Sequence, residues 1–168
     1  MKRHLALSVA VAVVAAFFVA ATGSGATIQV GNVSNAAPGS TITVPITLAD
    51  GGSGSCAVEY SLTWDAEALT YESVSTGGAA SAAGKQAYDS QKTAGAVKIS
   101  VFGINSTDIA SGVIANATFK LNSAASGAIA VGGQCSVSDC LGNLTESTCT
   151  AGAVVVNPRT RPRSVRPK

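Results

Sequence analysis

The stretch Cys56-Ala57-Val58-Glu59-Tyr60-Ser61-Leu62-Thr63-Trp64-Asp65-Ala66-Glu67-Ala68-Leu69-Thr70-Tyr71-Glu72-Ser73-Val74 decides how the chain is read. Val58, Tyr60, Leu62 and Trp64 alternate with Ala57, Glu59, Ser61 and Thr63. A period of two sends successive side chains to opposite faces, so this is a strand with one buried and one solvated face. Asp65 breaks the pattern, because its carboxylate can accept nearby backbone N–H groups and fix a turn. Alternation resumes at Leu69, Tyr71 and Ser73, which makes the unit a strand, a turn and a second strand.

The same alternation recurs outward from this unit. Residues 41–48 carry Ile42, Val44, Ile46 and Leu48 on one face, and residues 96–102 carry Val97, Ile99 and Val101. Shorter or weaker strands are expected at 28–30, 86–90, 113–121, 128–136 and 153–156. Pro38-Gly39 suits a type II turn. Pro45 has no N–H to give a ladder and predicts an edge strand or a bulge. Nine strands separated by Gly/Ser turns, with no helical periodicity, predict an all-β two-sheet sandwich.

Both ends of the chain differ from this body. Lys2, Arg3 and His4 precede an unbroken apolar and small-residue run from Leu5 to Ala21, the pattern of a secretory signal peptide over residues 1–26. Cleavage after Ala21 or after Ala26 fits its small-residue exit, and an uncleaved membrane anchor is the alternative. The domain then spans 27–157. Between Thr22 and Val156, four lysines face nine acids, a net of −5, whereas Arg159, Arg161, Arg163, Arg166 and Lys168 follow in a tail without apolar pattern. Residues 158–168 are expected to be a disordered basic tail. Its charge could meet nucleic acid or an anionic envelope, but beside an acidic body in an exported chain a solvated tail or a weak surface-electrostatic contact is expected, and membrane contact only through the signal peptide.

Four cysteines in an exported chain, Cys56, Cys135, Cys140 and Cys149, predict two disulfides. Three pairings are possible. Because Cys140 and Cys149 flank a turn-rich loop, the favoured pairs are Cys56–Cys135 and Cys140–Cys149.

The residue inventory restricts chemistry. The single histidine, His4, lies in the signal peptide, so the remainder has no Ser-His-Asp triad, no Cys-His pair and no histidine metal ligand. Asp65 and Glu67 share one turn, which suits turn capping better than two-carboxylate glycoside hydrolysis. Asp139, Asn143 and Glu146 lack the spacing of a calcium loop. No enzyme, cofactor or metal site is expected. With Tyr60, Trp64 and Phe119 assigned inward, Tyr88 and Phe102 are the aromatics left for a sugar, so a carbohydrate-binding module is an alternative function. A structural cell-envelope protein is a third.

The segments Ile28-Gln29-Val30-Gly31, Pro38-Gly39-Ser40-Thr41-Ile42-Thr43-Val44-Pro45-Ile46 and Trp64-Asp65-Ala66-Glu67-Ala68-Leu69, taken in order, resemble a cohesin domain. So do Gly95-Ala96-Val97-Lys98-Ile99-Ser100-Val101 and Gly112-Val113-Ile114-Ala115-Asn116-Ala117-Thr118-Phe119. Trp64 and Ala66 stand where that family usually has Tyr and Pro. The resemblance implies a nine-stranded jelly-roll β-sandwich that is secreted or held at the cell surface. It further implies a non-catalytic protein-docking module for dockerin-bearing, polysaccharide-degrading enzymes. The implied partner-binding face carries Ala57, Glu59, Ser61 and Thr63, with Lys98 and Ser100 on the neighbouring strand.

Overall fold

The structure, a computed structural model, describes residues 25–157. The expected signal peptide, apart from its last two positions, and the basic tail lie outside those residues. The first strands are β1 (Ala26–Val30), β2 (Val33–Ala36), β3 (Thr41–Ala49), β4 (Ser55–Trp64) and β5 (Leu69–Thr76). A short helix, α1 (Gly78–Ala82), leads to β6 (Gln86–Thr93), β7 (Ala96–Phe102), β8 (Gly112–Leu121) and β9 (Gly127–Asp139). The chain closes with β10 (Leu144–Thr145), β11 (Ser147–Thr150) and β12 (Gly152–Val156). One sheet has the order β11-β1-β3-β8-β5 and the other β2-β12-β9-β4-β7-β6, with β10 paired to β9 off that path.

All nine expected strands form, and the sandwich has twelve rather than nine. The additions, β2, β10 and β11, are too short to show a period. Pairing with distant partners creates them: β2 runs parallel to β12, and β11 parallel to β1. β9 also runs past its expected end at Ser136, because β4 pairs with it as far as Ser55↔Asp139.

Local chemistry fixes the turns as expected. Ser40 N–H donates to the Ala37 carbonyl (3.0 Å) around Pro38-Gly39, and Gly39 has φ 79°. Asp65 Oδ1 accepts from Glu67 N–H (2.9 Å), and its carbonyl accepts from Leu69 N–H (2.9 Å). Of the two settings expected for Pro45, an edge strand or a bulge, the edge is not found, since β3 lies inside its sheet. The Pro45 carbonyl accepts from Gly31 N–H (2.8 Å), just beyond the last β1–β3 pair, Val30↔Ile46. In extended backbone a residue's nitrogen points the same way as its carbonyl. The missing N–H therefore faces the place where β1 has ended and costs β8 no ladder bond. A β-bulge against β8 follows at once, between Ile46 and Thr47.

The inward faces pack together as the alternation requires. Ile28, Val30, Ile42, Val44, Ile46, Leu48 and Phe119 of one sheet are buried, as are Val58, Tyr60, Leu62, Val97, Ile99 and Val101 of the other. Each such side chain stabilises the fold by about 1.5–3 kcal/mol relative to exposure. Trp64 closes the β5/β6 side. Its ring meets Phe119 edge-on at 5.0 Å and Tyr71 at 5.9 Å, and its Nε1–H donates to the Leu69 carbonyl (2.9 Å). There the edge strands of the two sheets are also joined by Tyr71 O–H donating to Asp89 (2.8 Å), which Lys92 pairs at 3.0 Å.

The disulfides are Cys56–Cys140 and Cys135–Cys149, not the pairs favoured from sequence. Register is the reason. Cys135 lies opposite Tyr60, four residues along β4 from Cys56, or roughly 13 Å at about 3.3 Å per residue. That distance exceeds what a disulfide spans. Asp139 lies opposite Ser55, so Cys140 arrives beside Cys56 with a Cα–Cα distance of 4.9 Å. The chain then crosses to the other sheet, where β11 carries Cys149 to within 5.8 Å of Cys135, Cα to Cα.

Candidate functional site

β4 lies between β9 and β7, with β6 beyond β7 as the edge strand. Its alternation turns Ala57, Glu59, Ser61 and Thr63 to the outer face, against buried Val58, Tyr60 and Leu62. Antiparallel register with β7 sets Ser100 opposite Glu59 and Lys98 opposite Ser61. All six residues singled out from sequence therefore lie on one face. β9 adds Gln134, Ser136 and Ser138 opposite Ser61, Glu59 and Ala57, while β6 sets Tyr88 and Ser90 opposite Ser100 and Lys98. Sequence reasoning missed these flanking residues. Ser136 and Ser138 had a signal, because they alternate with buried Val137.

Most of these side chains are short, so the face has low relief. Its charges lie on one pair, Glu59 and Lys98, which are joined across the two strands as an ion pair. The Thr63 hydroxyl donates to the Gly132 carbonyl (3.0 Å), and the chain approaches closely there. A Cβ at Gly133 would collide with the Ser61 carbonyl oxygen, so β9 keeps glycine beside this part of β4.

At the end of the sheet nearest Ser55 the surface becomes apolar and concave. A groove of about 450 Å³ lies over Ala57, Glu59, Ser100, Phe102, Ser138 and Leu144. Phe102 and Tyr88 are about half exposed, at 47% and 48%, with ring centroids 5.1 Å apart and planes tilted by 36°. Leu144 is 78% exposed. β10 holds it there through the pair Leu144↔Ser138, and Asp139 fixes the preceding turn. Asp139 Oδ1 accepts from Leu141 N–H (2.9 Å) and Asn143 N–H (2.8 Å), and Oδ2 accepts from the Asn143 amide (2.9 Å). The Asn143 bonds hold the Asp139 carboxyl below its ordinary value. Asp139 and Asn143 thus do what turn residues do.

Two other groups of polar or ligand-type atoms are present. Cys56, Asp108 and Cys140 bring ligand-type atoms within 4.8 Å of one another, but both sulfurs belong to a disulfide and offer no thiolate to a metal. Lys85, with no sequence signal, is fully buried and donates from Nζ to the Asn105 carbonyl (2.7 Å). That bond stitches the 103–111 loop to the end of α1.

The family profile of the Cohesin domain matches residues 26–156. Among solved structures, the sixth cohesin of scaffoldin B from Acetivibrio cellulolyticus, in complex with a mutant Cel5 dockerin, is 23% identical with a TM-score of 0.70. The match covers 80% of this chain and 100% of that one. The seventh ScaB type I cohesin of Pseudobacteroides cellulosolvens is 21% identical with a TM-score of 0.67, over 86% and 99% of the two chains. A non-cellulosomal cohesin from the archaeon Archaeoglobus fulgidus is 19% identical with a TM-score of 0.64, over 82% and 94%. No curated protein matches the chain.

Proposed function

Because the chain belongs to the cohesin family, we propose that it is an exported, non-catalytic docking module whose outer β9-β4-β7-β6 face receives a dockerin-type module of another secreted protein. The observation that carries this reading is the low relief of that face. Ala57, Ser61, Thr63, Ser100 and Ser136 surround one self-neutralised pair, Glu59–Lys98. A partner can desolvate such a surface without stranding a charge, which is the main cost of burying ionised groups. A stable interface of ordinary size needs about 800 Å² from each partner. The partner class is named by likeness, since the Acetivibrio structure holds a cohesin together with a dockerin.

Export is part of the same reading. Two disulfides suit an oxidising compartment, and the apolar run after Lys2 and Arg3 suits secretion. Association with polysaccharide-degrading enzymes would then take place outside the cell or at its surface.

Calorimetric titration of the mature chain with each dockerin module encoded by the same genome tests the reading. At least one module should bind. Glu59→Arg should weaken that binding by about tenfold or more, because it sets a second cation beside Lys98 where the partner must approach, and opposed like charges cost several kcal/mol. Absence of binding to every module refutes the proposal.

A further inference from the structure

The exposed large apolar side chains of the described residues are Tyr88, Phe102, Ile104, Leu141, Leu144 and Val155. Tyr88, Phe102 and Leu144 gather at the Ser55 end of the outer face. Gln86↔Phe102 and Tyr88↔Ser100 set the aromatic pair there, and Leu144↔Ser138 brings β10 to the same level beside Ala57. Ile104 follows on the loop whose Ser106 carbonyl lies 3.3 Å from Cys140 Sγ. A cluster of this kind, concave at its centre and continuous with a polar face, marks an interaction site rather than ordinary surface scatter.

We infer that the hairpin of residues 139–145 is an apolar lip that, with Phe102 and Tyr88, takes an apolar side chain of the docked partner. This rests on the docking reading above and adds the chemistry of its anchor. The charge distribution selects an apolar, uncharged occupant. Among the residues that line the groove Glu59 alone is charged, and Lys98 on the neighbouring strand neutralises it, so the groove wall itself offers a charged partner group no free counter-charge. Binding energy at interfaces concentrates where an aliphatic or aromatic group fills a dry pocket, and a groove of about 450 Å³ accepts such a group.

Cys56–Cys140 is the positioning element. It ties the first residue of the lip's turn to β4, beside Ala57 on the groove floor. A disulfide at this place constrains the hairpin against the sheet in a way that the two ladder pairs of β10 alone do not.

The test uses the full mature chain and the dockerin modules encoded by the same genome, titrated by calorimetry. Leu144→Ser and Phe102→Ser should each weaken binding by roughly ten- to a hundredfold, the loss expected when a buried apolar contact is removed. Leu144→Met should restore near-normal affinity, and Val155→Ser should leave it unchanged. Removing Cys56 and Cys140 together should weaken binding in a chain whose circular dichroism is unaltered. Raising salt from 50 to 500 mM should change the wild-type affinity by less than about threefold, because paired charges and apolar contacts are little screened. Binding that survives both serine variants while Glu59→Arg weakens it overturns the lip and leaves the docking face standing. No binding by any module overturns both. Retardation of the chain in polysaccharide gels that Tyr88→Ala abolishes, with dockerin affinity unchanged in that variant, reassigns the aromatic pair to a glycan and likewise overturns the lip.

Discussion

Replacing Cys56 and Cys140 together by alanine separates the energetics of the disulfides from their pairing. Cys56–Cys140 joins residues 84 apart, and the loop-entropy relation assigns such a closure about 4.5 kcal/mol at 25 °C. Cys135–Cys149 joins residues 14 apart, which corresponds to about 3 kcal/mol. The two loops overlap over residues 135–140, so the losses should not add in a chain lacking all four cysteines. With a urea m-value of about 2 kcal/mol/M, the midpoint should fall by about 2 M in the first double variant and about 1.5 M in the second. Trp64, the chain's single tryptophan, reports the transition because it packs against Phe119 and Tyr71. A thiol titration in denaturant then reads the pairing. With Cys56 and Cys140 gone, Cys135 and Cys149 remain bonded to each other and no thiol should titrate. Had the pairs been Cys56–Cys135 and Cys140–Cys149, the same variant would leave both remaining cysteines without their partners. Two thiols per chain, or a larger loss from Cys135 and Cys149 than from Cys56 and Cys140, would refute the reasoning.

Tyr60→Phe should leave stability unchanged or raise it by up to about 1 kcal/mol in denaturant melts, because the Tyr60 hydroxyl is buried without a hydrogen-bond partner and its removal relieves a desolvation cost. Tyr71→Phe should destabilise by about 1 kcal/mol at pH 7, since it removes the hydroxyl that donates to Asp89 across the sheet edges. Burial raises the Asp89 pKa, but the bonds from Tyr71 and Lys92 outweigh it and hold the carboxyl below its ordinary 3.8. That contribution is therefore fully present above the ordinary value and lost as pH falls through the lowered one, so wild type and variant should converge in melts at the acid end. Of the two cleavage points, the one after Ala21 should be used. Cleavage after Ala26 would remove a fully buried residue whose N–H donates to the Glu146 carbonyl (3.0 Å), and N-terminal sequencing of the exported chain distinguishes them.

Alternation over Val58, Tyr60, Leu62 and Trp64, and likewise over Ile42 to Leu48 and Val97 to Val101, determined the all-β class, the buried set and the orientation of Glu59, Ser61 and Thr63. These are local properties, because a period of two assigns each side chain to a face whatever the partner strand. Pro38-Gly39 and Asp65 fixed their turns equally locally. Tertiary structure decided everything that depends on which strand lies beside which. β2, β10 and β11 exist only as partners of β12, β9 and β1. Pro45 is tolerated inside a sheet because β1 ends opposite it. The disulfides follow the β4–β9 register, which no cysteine spacing encodes. Leu144 and Phe102, 42 residues apart in the chain, share one groove for the same reason. Side-chain periodicity is written residue by residue, whereas register is settled by the summed packing of two sheets over long sequence separations.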